Sequence, residues 1–190
     1  MAIYAATSIT NWTISRCYVH NCLGTSIQFA GGGNHLVEYS YFGPAFGKEA
    51  IRGQNSLYST IIRYNIFRDT CQPVLGEGVT AEIGIWDGDG SFDDNAIYGN
   101  VFTNKMTTGT RNLVILVGGA EGEDNGAHNT KIYNNSFIGI REAAAYPMIG
   151  LYGNNTEAKN NLFYNCVDTD NNADVTANNL AIGSNVFSGW

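Results

Sequence analysis

The chain is short of charge. Only 14% of its 190 residues are Asp, Glu, Lys or Arg, against an average near ~25%, so surface helices with solvated faces are not expected to dominate. Basic residues are the scarcest: ten Lys plus Arg against 17 Asp plus Glu leave a formal net charge of −7. That sign repels a phosphate backbone, and nucleic acid is not an expected partner. No run of 18 apolar residues exists, so no membrane span and no membrane partner are expected. The segment Met1 to Trp12 lacks a basic stretch followed by an apolar one and is not read as a secretory signal. Cys17, Cys22, Cys71 and Cys166 form no C-x-x-C pair and have no companion His spacing. Zinc and redox motifs are thereby disfavoured, and buried unpaired thiols are expected. His20, His35 and His128 are scattered and read as satisfied or exposed side chains. The one Ala-rich stretch, 141–146, is too short to stand alone as a helix.

What the chain has in quantity is Gly (23 residues), Asn and aromatic side chains (12%), the composition of turns and strands. A six-residue phrase recurs: apolar, three small or polar positions, a variable one, then aromatic or aliphatic. Its copies run Ile14–Val19, Val37–Phe42, Ile62–Phe67, Ile97–Phe102, Ile132–Phe137, Ala158–Phe163 and Ile182–Phe187. Their last positions are spaced by 23 to 35 residues, the range of stacked repeats that are individually too short to bury an apolar face. Val19, Phe42, Phe67, Phe102, Phe137, Phe163 and Phe187 are therefore expected in one inward column. Two residues before them stand Cys17, Ser40, Asn65, Asn100, Asn135, Asn161 and Asn185. Asn at a strand-to-turn bend tolerates left-handed backbone and bonds its amide to the next rung, so this column is expected to be a structural ladder.

A second apolar segment lies between the phrases, around Ile27–Gly31, Ala50–Gly53, Ile83–Asp87, Val114–Gly118 and Ile149–Gly153. Alternation of period two points Phe29, Ile51, Ile85, Leu116 and Leu151 inward and Ala30, Arg52, Trp86, Val117 and Tyr152 outward. The phrases IIRYNIFRDT, AIYGNVFTN and KIYNNSFIGI resemble the strand-turn units of right-handed parallel β-helix repeat proteins, the pectate-lyase-like superfamily. The resemblance covers about residues 9–187. It implies an all-β, single-stranded right-handed parallel β-helix solenoid of about six to seven coils, read as one domain over 1–190. Right-handed crossovers agree with the general preference of parallel strands.

Candidate chemistry lies in the two longest repeats. The segment from Asp87 to Asp94 carries Asp87, Asp89, Asp93 and Asp94, with Glu121 and Glu123 one repeat on. Alternating carboxylates and Gly suit a hard cation, so Ca²⁺ on these six residues is an expectation. Arg52, Trp86 and Tyr152 form an expected sugar-reading face, since aromatic rings pack on sugar C–H faces and Arg forks onto a carboxylate. For β-elimination on a uronate, the resemblance implies Arg52 or Lys48 as base and calcium as charge neutraliser. For hydrolysis, Asp87 with Glu121, or Asp89 with Glu123, would supply the paired carboxyls. Two functions stay open: a polysaccharide-active, lyase-like protein of the cell exterior or surface, and a non-catalytic surface, adhesion or phage-type solenoid that binds oligosaccharide or polysaccharide, or assembles. No amphipathic capping helix is visible, and uncapped strand edges favour a homo-oligomer.

Overall fold

The computed structural model describes residues 2–44, 49–68, 81–86, 90–103, 114–118, 126–140, 148–166, 175–177 and 179–182. Among them there is no helix, and the strands fall into three long parallel sheets plus one short pair. Sheet A takes Ile3–Ala5, Ile27–Phe29, Ile51–Gly53, Ile83–Ile85, Ile115–Val117 and Ile149–Leu151. Sheet B takes Thr13–Ser15, Leu36–Glu38, Ile61–Arg63, Ala96–Tyr98, Lys131–Tyr133, Glu157–Lys159 and Val175–Ala177. Sheet C takes Tyr18–Val19, Tyr41–Phe42, Ile66–Arg68, Val101–Thr103, Ser136–Ile138, Leu162–Tyr164 and Leu180–Ile182. The chain visits A, B and C in turn, and each strand pairs with its equivalents one coil away. This is an all-β parallel β-helix solenoid of about six coils.

The expected aromatic column is real. Phe42, Phe67, Phe102, Phe137 and Phe163 are fully buried and stack successively at centroid distances of 4.9, 4.8, 5.0 and 4.8 Å, nearly coplanar at 8 to 10°. Beside it Ile14, Val37, Ile62, Ile97 and Ile132 are buried in register, with Ala158 in the same column. The spacing of the rings is set by the strand separation of a sheet, about 4.7–4.9 Å. Identical residues at identical coil positions therefore touch face to face.

Two-residue corners join sheet B to sheet C. In six of them the first residue is described and has left-handed backbone: Arg16 (φ 57°), Tyr39 (49°), Tyr64 (55°), Gly99 (65°), Asn134 (55°) and Asn160 (54°). The second is the ladder. Asn100 Oδ1 accepts the backbone N–H of Asn65 at 3.0 Å, and Asn100 Nδ2 donates to the Ile62 carbonyl at 2.9 Å. Asn65, Asn135 and Asn161 repeat this geometry on their own neighbours. The sequence expectation placed both the bend and the ladder on one Asn, whereas the fold divides the two tasks between adjacent residues. The side chain that turns inward to bond the next rung belongs to the residue after the left-handed one.

The last repeat also differs from expectation. Asn179, not Asn185, continues the ladder, accepting from Asn161 N at 2.8 Å and donating to the Ala158 carbonyl at 3.0 Å. Ala181 pairs with Phe163, and Ile182 pairs with Tyr164 on sheet C instead of opening a phrase on sheet B. Asn185 and Phe187 lie outside the described residues. The pattern of Asn followed two positions later by an aromatic was satisfied better by 185–187. Backbone pairing instead follows the hydrogen-bond ladder.

A second polar ladder runs along the corner between sheets A and B. Asn11, Asn34, Ser59, Asp94, Asn129 and Asn155 are left-handed there, and the residues after them include buried His35, Thr60, Asn95, Thr130 and Thr156. Asn95 Oδ1 accepts the Thr60 N–H at 3.0 Å. His35, 1% exposed and stacked on Phe29 at 4.4 Å, takes the same role with Nδ1 accepting the Trp12 N–H at 3.3 Å. Burial pushes the affinity of this imidazole for a proton below its ordinary value, opposed in part by the Gly31 backbone. The neutral form is the one the fold holds. Its contribution is complete above the ordinary pKa of 6.5 and is lost as pH falls from there through the lowered folded value. Thermal melts above and below the histidine range are expected to show this loss in the native chain and not in His35→Asn, which keeps an acceptor but cannot titrate.

The cysteines are only partly as expected. Cys17, Cys22 and Cys166 are free thiols, but Cys17 and Cys22 are half-buried and Cys166 alone is fully inside. Cys71 and the stretch 141–146 lie outside the described residues.

Candidate functional site

Every coil turns from B to C in two residues, whereas the connections of variable length all meet sheet A. In the middle coils the strand of sheet C ends at Arg68, Thr103 or Ile138 and sheet A resumes at Ile83, Ile115 or Ile149. Long connections on a rigid wall are where binding groups are usually carried, so the outward face of sheet A is the place to look.

The register of sheet A sets Tyr4, Gln28, Arg52, Gly84, Leu116 and Gly150 side by side in one outward column. The column that follows the strands holds Gln54, Trp86, Gly118 and Tyr152, whose backbone N–H groups donate to Phe29, Gly53, Ile85 and Val117 in turn. Arg52, Trp86 and Tyr152 thus share one face, as expected, but in two adjacent columns. The expected phase was wrong at coil five: Val117 is fully buried in the main core, and Leu116 faces outward, packed with Ala81, Trp86 and Tyr152 in a separate small cluster. Four consecutive apolar residues, Val114 to Val117, allow either phase. Gly118 helps to fix it with φ 94°, in a turn where a Cβ would stand 2.3 Å from the Tyr152 carbonyl oxygen.

Gly84 is the floor of the central part of this face. A Cβ there would come within 2.9 Å of Glu49 Cγ and 3.0 Å of Trp86 Nε1, so both side chains lie over the glycine. Glu49 is 1% exposed. Its Oε2 accepts from Thr25 Oγ1 at 3.2 Å and stands 3.9 Å from an Arg52 guanidinium nitrogen. The guanidinium carbon of Arg52 lies 5.9 Å from the centroid of the Trp86 ring. Gln28 Nε2 donates to Gln54 Oε1 in the adjoining coils. Among the described residues nothing accepts from the buried Trp86 Nε1. Sequence reasoning missed Glu49, although its place directly before Ala50, equivalent to Thr25 before Ser26, was readable from the apolar segments.

Asp93 and Asp94 sit at the A–B corner. Asp94 is the left-handed residue and accepts from Asn129 Nδ2 at 3.1 Å, which in turn accepts from Asn155 at 2.7 Å. Asp93 Oδ1 is buried without a hydrogen-bond partner among the described residues. The other expected ligands and acids, Lys48, Asp87, Asp89, Glu121 and Glu123, lie outside the described residues. Among those described, no three His, Cys, Asp or Glu side chains come together in a metal-binding group. His128 has its own backbone partner, with Nδ1 accepting from Asn154 N at 3.2 Å.

A second aromatic surface, not foreseen, runs down the outside of sheet B and its corner. Tyr39 stacks on Tyr64 at 5.3 Å, Tyr64 meets Tyr98 edge-on at 5.6 Å, and Tyr98 stacks on Tyr133 at 4.7 Å. Arg63 donates to Glu38 at 2.7 and 2.9 Å and to the Tyr98 hydroxyl at 2.9 Å, which raises its already high pKa. Burial, then the neighbouring Tyr98 and Tyr64, raise the pKa of Tyr133. These polar groups are spent on one another.

The chain matches no protein-family model, no curated protein and no solved structure. Its class is given by its fold, a parallel β-helix solenoid with an aromatic and polar outward face on sheet A.

Proposed function

We propose that this protein binds polysaccharide along the outward face of sheet A. The observation that carries the reading is the meeting of Arg52 and Trp86 beside Gly84, with the Gln28–Gln54 pair on the preceding coils and Tyr152 beyond, packed like Trp86 against the buried Leu116. A buried indole N–H without an acceptor costs about 1–3 kcal/mol, a cost that a tryptophan kept only for packing would avoid. A ring plane beside amide and guanidinium donors is the combination that reads a pyranose, apolar on its C–H face and hydroxylated at its edge. The pectate-lyase-like superfamily, which the repeat phrases resemble, hosts polysaccharide-active proteins on this kind of fold. Fold alone carries no activity, and the described side chains make a binding surface.

Affinity electrophoresis through gels containing neutral and acidic polysaccharides tests this. Trp86→Ala is expected to weaken retardation by the best polymer at least tenfold, about 1.4 kcal/mol, with the thermal melt still cooperative. Trp86→Phe should keep most of the binding. Equal retardation of native chain and Trp86→Ala in every polymer would remove sheet A as the binding face.

A further inference from the structure

We infer that the glycan read by sheet A is a neutral one, a polymer of uncharged hydroxylated sugars, and not a uronate; this rests on the polysaccharide reading above. The sequence invites the opposite view, because Arg52 is the outward cation of the face and a guanidinium forks naturally onto a carboxylate. In the fold that cation already has a carboxylate. Glu49, 1% exposed, holds Oε2 at 3.9 Å from Arg52, whose side chain is only 15% exposed and lies against the Trp86 ring.

The charge balance follows from these positions. Among the described residues one guanidinium faces one carboxylate across the floor of the site, so these groups offer an incoming anion no uncompensated cation. Burying charge strengthens this conclusion, because partly desolvated pairs are screened less than exposed ones. The chain as a whole adds to it with a net charge of −7. A uronate polymer would have to pull Arg52 from Glu49 and leave that buried carboxylate uncompensated. A neutral sugar asks for nothing of the kind. It takes the ring plane of Trp86 and the amides of Gln28 and Gln54, and hydrogen-bonds to Arg52 where it stands.

Isothermal titration with a neutral glucan, a galactomannan, polygalacturonate and alginate tests the inference, with Glu49→Gln beside the native chain. The native chain should bind a neutral polymer at least tenfold more tightly than either uronate. That affinity should hold as added salt shortens the Debye length from about 30 to about 3 Å. Glu49→Gln keeps the partner of Thr25 and releases the Arg52 charge, so its uronate affinity should rise at least tenfold. Tighter native binding to a uronate, or steep salt dependence, would overturn the neutral assignment and leave the face standing. Should Glu49→Gln fail to fold, the native preference and its salt response decide the matter alone. If no polymer binds, the polysaccharide reading itself fails and takes the inference with it.

Discussion

Asn100→Ala is expected to lower the unfolding free energy by about 3–5 kcal/mol, since each buried group stripped of its partner costs about 1–3 kcal/mol. Removing this amide orphans the Asn65 N–H, which it accepts at 3.0 Å, and the Ile62 carbonyl, to which it donates at 2.9 Å. It also withdraws a donor from Asn135 Oδ1 at 3.1 Å. All of these groups sit where no water reaches, in a ladder fully buried from Asn65 to Asn161. Asn129→Gly provides the contrast, because Gly keeps the left-handed backbone of this position (φ 54°) without strain. Asn129 belongs to an outer ladder between Asp94 and Asn155, and both of its bonds are solvent-exposed; its loss should cost less than about 1 kcal/mol, within the ordinary net worth of a hydrogen bond. Urea melts of the two variants measure the difference directly. Equal costs would mean that the inner amides contribute no more than exposed ones, and the ladder would lose its claim to hold the coils in register.

The reason these columns were readable in sequence is that a solenoid converts sequence spacing into spatial contact. Phe67, Phe102 and Phe137 are 35 residues apart and touch, so repetition alone located the inner wall. What was not readable has a common physical origin: features that local pattern leaves degenerate are decided by hydrogen bonding between coils. Leu116 and Val117 are both apolar, and only pairing with Gly84 and Ile85 selects which one faces the core. Likewise the choice between Asn179 and Asn185 was made by ladder continuity. For the candidate site, Arg52, Trp86 and Tyr152 were legible because large or charged residues interrupt an apolar strand. Glu49 was not, because an acid beside a strand reads as solvated until Gly84 and Arg52 are seen around it.

Phe102→Ala is the other large effect. It empties the centre of the ring stack, whose neighbours stand at 4.8 and 5.0 Å on either side, and substitutions of this kind cost about 3–5 kcal/mol through lost burial and the cavity left behind. Domains of ordinary stability have only about 5–15 kcal/mol in hand, so the variant should be strongly destabilised. Packing alone would also predict such a loss for any buried ring, and the double variant separates the two explanations. Phe102 and Phe137 stack at 8°, so each lends the other a contact that disappears when either is cut. In a cycle of Phe102→Ala, Phe137→Ala and both together, the second cut should therefore cost less than the first, by about 0.5–1.5 kcal/mol, the ordinary worth of an aromatic pair. Phe67 and Phe163 share no ring neighbour, one stacking on Phe42 and Phe102 and the other on Phe137, so their cycle should add. Strict additivity for the adjacent pair, measured by denaturant melts with unchanged slope, would show that the rings are buried side by side without supporting one another.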